Sequence, residues 1–201
     1  MYSQNDEEKW IVDFYKDHVG RFLDIGAHDG KLLSCTYRLV ELGWSGVCID
    51  PSPTAFVELQ KLHNDNPKIE VVNCAIDTDS KIKVFYHMGT GGYISTLSKD
   101  FMNEWPQHKK KYKSMYLKTV TFFELLKFFG HDFDFISIDV EGVDYELMKT
   151  IPFDSMPKLS MFCIEFCKSN DLSDMIKLGE THNFTTLVTT KQNLIMIKEL
   201  K

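Results

Sequence analysis

Arg21–Asp50 reads RFLDIGAHDGKLLSCTYRLVELGWSGVCID. Phe22, Leu23 and Ile25 predict a short buried strand with Asp24 near its end. Gly26 and Gly30 bracket a tight turn, and Lys31 to Leu42 carry helical spacing. Val47, Cys48 and Ile49 predict a second strand, closed by Asp50-Pro51. Such a βαβ unit brings a loop backbone and a strand-end acid toward one ligand. It predicts a nucleoside-containing ligand whose ribose hydroxyls meet Asp50.

Outward from this unit, strands and helices alternate. Upstream, Asn5 to His18 spaces Trp10, Ile11, Phe14 and Tyr15 as a helix would, covering a sheet edge or the ligand. Downstream, Ser52-Pro53 opens a helix through His63. Ile69, Val71 and Val72 predict a third strand leaving through Asn73 to Asp77, and Lys81 to Tyr86 alternates like a half-exposed strand. His87 to Ser98 is rich in Gly, Ser and Thr and predicts a loop, and Lys99 to Lys118 has no clean period. Thr119 to Phe129 leads into a helix stopped by Gly130. Phe133 to Ile138 and Leu159 to Phe166 predict buried strands, with short helices over Val143–Ile151 and Leu172–His182. Thr185–Thr189 and Asn193–Ile197 close as a hairpin. The expected fold is α/β: a Rossmann-like, seven-stranded, mostly parallel sheet with an antiparallel C-terminal strand and helices on both faces. One domain spans 1–201, with 1–19 as an N-terminal helical extension and 99–118 as a substrate-side insertion.

The turn separates two ligand chemistries. Dinucleotide sites want Gly-x-Gly-x-x-Gly so that backbone can approach a pyrophosphate. Here the glycines stand four apart and Asp24 precedes the first by two. A carboxylate there repels a pyrophosphate and suits a cationic, amine-bearing cofactor, namely S-adenosylmethionine. Asp24, Gly26, Ala27, His28 and Gly30 are its first expected contacts, although glycines that merely turn the chain and a solvent-facing His28 remain alternatives. Asp50, with Pro51 and Ser52 after it, is the ribose acceptor. Ala75 and Ile76 make a wall for the adenine, where Asp77 is either an acceptor for its amino group or part of a plain strand exit.

Leu23-Asp-Ile-Gly-Ala27, Ile49-Asp-Pro-Ser52, Asn73-Cys-Ala75 and Ile138-Asp-Val-Glu-Gly142, in that order and spacing, resemble the FkbM family of S-adenosylmethionine-dependent methyltransferases. The resemblance covers Arg21 to Phe166. It implies O-methyl transfer to hydroxyls of sugars or secondary metabolites, on the class I fold with a reversed final strand. The chain departs from the family at Asp50, where Glu is more common, and at Ser137, where Lys is common.

Asp139 lies at the C-terminal end of its strand, where open α/β sheets place ligands and catalytic groups, and it is also an expected cofactor contact. Methyl transfer to an alcohol needs acceptor, methyl and sulfur in line and gains from a base that takes the hydroxyl proton. Asp139 is the first candidate for that base or for positioning the acceptor, and Glu141 the second; helix capping is the alternative for both. The pair, with Glu165, could instead hold a divalent metal, which the absence of a His cluster does not favour. Tyr93 and Ser95, in the glycine-rich loop, and Trp105 and Tyr112, in WPQHKKKYKSMY, are the candidate substrate contacts. The lysines and rings there suit an acidic or sugar acceptor or single-stranded RNA, or the lysines form a solvated face.

The totals set bounds. A formal charge of −6 weighs against a general nucleic-acid binder, and no apolar run is long enough for a membrane span. Five scattered cysteines without a Cys-x-x-Cys pair predict reduced core thiols in a cytoplasmic protein. The expected activity is therefore O-methylation of a small-molecule or carbohydrate hydroxyl. An RNA methyltransferase and a non-catalytic S-adenosylmethionine-binding module are the alternatives.

Overall fold

A strand shows its side chains alternately to opposite faces, and the strand order decides what each face meets. In the computed structural model, which describes residues 1–89, 92–167 and 169–198, seven strands form the main sheet. They are β1 (Arg21–Ile25), β2 (Ser45–Ile49), β3 (Ile69–Val72), β7 (Phe135–Ile138), β8 (Met161–Glu165), β9 (Thr185–Thr189) and β10 (Asn193–Ile197). Their order is β3-β2-β1-β7-β8-β10-β9, and β10 runs antiparallel to β8 and β9. The remaining strands, β4 (Ala75–Ile76), β5 (Ile82–His87) and β6 (Lys113–Val120), make a small sheet in the order β4-β6-β5.

On one face of the main sheet Leu23, Ile25, Val47, Ile49, Ile136 and Ile138 pack under α5 (Phe122–Phe129), α6 (Asp144–Met148) and α7 (Ser169–Thr181). On the other, Phe22, Cys48, Phe135 and Cys163 pack under α1 (Glu7–Tyr15), α2 (Tyr37–Glu41) and α3 (Pro53–His63). This alternation sends Asp24 to the α1–α3 face, level with Cys48 on one side and Ser137 on the other. No described helix is long and apolar enough to cross a membrane.

The architecture follows the sequence expectation, and the hairpin strands have the expected bounds. Two segments differ. Lys31 to Leu42 is helical only over α2, because local side chains take the backbone donors first. Asp29 Oδ1 accepts from Lys31 N (2.9 Å) and Leu32 N (2.8 Å), and Ser34 Oγ accepts from Thr36 N (3.1 Å) and Tyr37 N (3.0 Å). Such bonds compete with a helix. Leu33, at φ 61°, also bridges to Ser3 of the N-terminal segment. The aperiodic stretch from Lys99 to Lys118 is α4 (Lys99–Glu104), capped by Ser98 Oγ accepting from Phe101 N, then a 3₁₀ turn at Lys109–Lys111, then most of β6. Pairing with β5 over 82–87 supplies the order that periodicity did not show. All five cysteines are free; Cys35, Cys48 and Cys163 are buried, whereas Cys74 is half-buried and Cys167 exposed.

Candidate active site

At the end of β1 the chain must turn while its neighbours continue, and the backbone does so at Gly26, with φ +88°. A Cβ there would lie 1.7 Å from the Asp139 carbonyl oxygen, so the glycine is required by close approach as well as by conformation. Gly26 N and Ala27 N both donate to Ile49 O, at 2.9 and 3.0 Å. Asp24 Oδ2 accepts from Thr36 Oγ1 at 2.6 Å. Burial pushes its carboxyl up to about 6, the Asp50 charge adding and the Thr36 and Ser137 hydroxyls opposing.

Asp50, just past β2, is buried, and each of its oxygens holds one backbone donor: Oδ2 takes His28 N (2.9 Å) and Oδ1 takes Ser52 N (2.8 Å). Burial raises its pKa, and those N–H groups work against the rise. A carboxylate so held keeps lone pairs for a ligand while its orientation is fixed.

Past β7 and β8 the acids meet one another instead. One oxygen each of Asp139, Glu141 and Glu165 lie within 4.8 Å of one another. Glu141 sits at φ 60° and Gly142 at φ +98°. Asp144 anchors this turn, its two oxygens accepting from Val140 N (2.8 Å) and Gly142 N (2.9 Å). Thr96 Oγ1 donates to the Glu141 carbonyl (2.6 Å) and ties the glycine-rich loop to it. Glu165 is buried, Glu141 half-buried, and Asp139 has its carboxyl open to solvent although protein surrounds it. That desolvation, then neighbouring carboxylates, pushes Asp139 up to about 7, Glu141 to about 9 and Glu165 to about 11. Near neutral pH Glu141 and Glu165 are therefore proton holders, while Asp139 is poised to accept. Oxygens at this spacing also suit a hard cation.

These elements enclose a cavity of about 630 Å³, within the usual range for small-molecule sites. Asp24, Gly26, Ala27 and His28 line it, as do Asp50, Pro51, Ser52, Ala75, Ile76 and the acids Asp139 and Glu141. Tyr93, Ser95 and Trp105 reach it from the loop and from α4. Two expected contacts do not. Gly30, with φ +79°, is packed where a Cβ would come within 2.4 Å of Leu59, so it serves the seat of α3. Tyr112 turns its phenol to a buried position with no hydrogen-bond partner, where the Glu141 charge is felt, and does not line the cavity. Thr90 and Gly91 of the glycine-rich loop lie outside the described residues.

The structure adds groups not singled out above. Thr36 and Ser137 hold Asp24, and Ser137 was marked only by an atypical residue type. Asp144 holds the Glu141 turn, and an acid at the start of a helix was its one signal. Gln4 and Asn193 join the cavity wall from opposite ends of the chain, for which the sequence carries no local sign.

Among the described residues no lysine or arginine lines the cavity, while Asp24, Asp50, Glu104, Asp139, Glu141 and Glu165 do. His28 Nδ1 is buried at its wall without a hydrogen-bond partner. A pyrophosphate would find no counter-charge, whereas a cationic adenosyl donor fits the volume and the acids.

Sheet order and reversed β10 are those of the class I methyltransferase fold. The chain belongs to the FkbM methyltransferase family, whose domain model matches residues 24–184. That fold implies S-adenosylmethionine as the methyl donor. Among solved structures, the chain resembles the ribosomal protein L11 methylase of Lactobacillus delbrueckii subsp. bulgaricus (11% identity, 96% of this chain and 78% of that one, TM-score 0.52). It also resembles the precorrin-6y C5,15-methyltransferase of Geobacter metallireducens GS-15 (11%, 96% and 87%, TM-score 0.51). A third is the human methyltransferase 10 domain containing protein (15%, 96% and 80%, TM-score 0.51). At such identities these likenesses concern the fold alone. No curated protein matches the chain.

Proposed function

We propose that the protein, as a single methyltransferase domain, methylates a hydroxyl oxygen of a sugar or small metabolite. The carrying observation is the cavity wall, which offers carboxylates and no lysine or arginine among the described residues. When bound, S-adenosylmethionine supplies an electrophilic methyl group on a sulfonium. Asp24, Gly26, Ala27 and His28 hold its amino-acid end. Asp50, Pro51 and Ser52 take the ribose, and Ala75 and Ile76 flank the adenine. Asp139 orients the acceptor hydroxyl and accepts its proton, with the Glu165 carboxyl beside it. Glu141, protonated near neutral pH, donates a hydrogen bond to the acceptor.

Calorimetry with S-adenosylmethionine, S-adenosylhomocysteine and NAD tests this reading. Binding of the adenosyl ligands and not of NAD is expected. Adenosyl affinities no tighter than about millimolar, roughly 4 kcal/mol, would overturn it. Transfer unchanged in Asp139→Asn would remove the assigned base.

A further inference from the structure

The cavity is lined by acids out to the exposed Glu104, but the segment that follows carries the opposite charge. From Trp105 to Lys118 the chain carries Lys109, Lys110, Lys111, Lys113 and Lys118 and no acid, within a protein of net charge −6. The 3₁₀ turn Lys109–Lys111 is bracketed by Gln107, which lines the cavity, and by Tyr112, which feels the Glu141 charge. The turn therefore begins two residues beyond the cavity wall. Lys113 continues the charge along β6, level with His87, whose pKa its ammonium helps to lower behind the larger effect of burial.

All four lysines from 109 to 113 are exposed, and none forms an ion pair among the described residues. By contrast, Lys83 on the neighbouring strand is held by Asp77 and Asp79 at 2.7 and 2.8 Å. Four like charges within five residues repel one another, and a bound anion relieves that repulsion. The cavity wall itself carries aromatic surface: Trp105 and Tyr93 both line the cavity while remaining 37% and 47% exposed. Exposed rings beside a basic run suit a ligand with a flat ring and a phosphate.

Resting on the reading of the cavity as a methyl-transfer site, we propose that the acceptor is a nucleotide unit, its ring against Trp105 and Tyr93 and its phosphate on Lys109–Lys111 and Lys113. The acceptor hydroxyl then points inward to Asp139, and the phosphate stays outside the acidic interior. The unit is either a free nucleotide, including a nucleotide sugar, or one residue of a single-stranded RNA, since both present the same ring, hydroxyls and phosphate.

The test is a fluorescence titration of the full chain, with S-adenosylhomocysteine present, using the four ribonucleosides, their 5′-monophosphates and a fluorescein-labelled 12-nucleotide RNA. At least one phosphate-bearing probe should bind about ten-fold or more tighter than its nucleoside. K109E/K110E/K111E should erase that difference while leaving S-adenosylhomocysteine affinity unchanged. W105A should weaken nucleoside and monophosphate alike. A monophosphate as tight as the RNA supports a free nucleotide. Tight binding by the RNA alone, falling with salt at a log–log slope of about −2 or steeper, supports a strand. Equal affinities for nucleosides and monophosphates with no RNA binding, or full binding by the charge-reversed variant, would overturn the proposal. Normal S-adenosylhomocysteine binding without phosphate dependence removes only the lysine assignment. Phosphate-dependent binding without S-adenosylhomocysteine binding removes the methyltransferase reading and keeps the lysine assignment.

Discussion

The acids of the cavity form two groups that are handled oppositely. Asp24 and Asp50, at the ends of β1 and β2, are gripped by N–H and O–H donors from Thr36, His28 and Ser52. Asp139, Glu141 and Glu165, at the ends of β7 and β8, face chiefly one another. Desolvation raises every one of these carboxyls; donors then oppose the rise and crowding by other acids adds to it, so the second group reaches about 7 to 11 while Asp24 reaches about 6. One side is built to hold a ligand in place, the other to exchange protons with one.

Breaking the second side should have the largest effect. Asp139→Asn should lower kcat by about 10²–10⁴-fold with little change in cofactor affinity, measured by steady-state kinetics and calorimetry. Its Tm should stay level or rise, because one member of a crowded set of acids loses its charge. Breaking the first side should act on binding. Asp50→Ala should weaken S-adenosylhomocysteine about 10–100-fold, and the orphaned His28 and Ser52 N–H groups should cost about 1–3 kcal/mol of stability, read by chemical denaturation.

A pH series sharpens the contrast further. An unfolded carboxyl loses its proton near pH 4, whereas Asp24, Asp139 and Glu141 keep theirs to about 6, about 7 and about 9. Folded protein therefore binds more protons than unfolded, and the empty protein should lose stability as pH rises from about 5 to 9. The same ionisation favours a cation, so S-adenosylmethionine should gain on neutral-sulfur S-adenosylhomocysteine by about three- to ten-fold between about pH 6 and 8. Rising stability over that range, or a constant affinity ratio, would contradict the shared-proton picture. The smallest effect belongs to Tyr112→Phe, which should leave kcat and both KM values within about two-fold, because the phenol does not reach the cavity.

Much of this was readable from the chain because strand chemistry is local. Alternation in β1, β2 and β7 placed the sheet, and acids just past a strand's last apolar residue marked the cavity rim. The hairpin at the C-terminus announced itself by two apolar runs around Lys191-Gln192. What stayed hidden depends on contacts made at a distance. Nothing near Lys113 signals a strand until β5 pairs with it, and the spacing of Leu32, Leu33 and Leu39 suggests a helix that Asp29 and Ser34 cut short. Glu165 could be named as an acid near the others, but its closeness to Asp139 exists only once β8 lies beside β7. Gly30 shows the same limit: a glycine in a turn looks alike in sequence whether it admits a cofactor or the side chain of Leu59.

The contact between the Gly26 backbone and the Asp139 carbonyl bears on timing. Asp139 N also donates to Ile25 O at 2.9 Å, so the ends of β1 and β7 are bonded just before that glycine and in close contact at it. The loop assigned to the methyl donor and the acid assigned to the acceptor thus ride on one rigid seam, with no hinge between them. Their alignment is set when the chain folds, not when ligands arrive. Turnover in such an enzyme should be governed by how fast the mouth admits and releases ligands, because the two reacting halves have no separate motion to wait for.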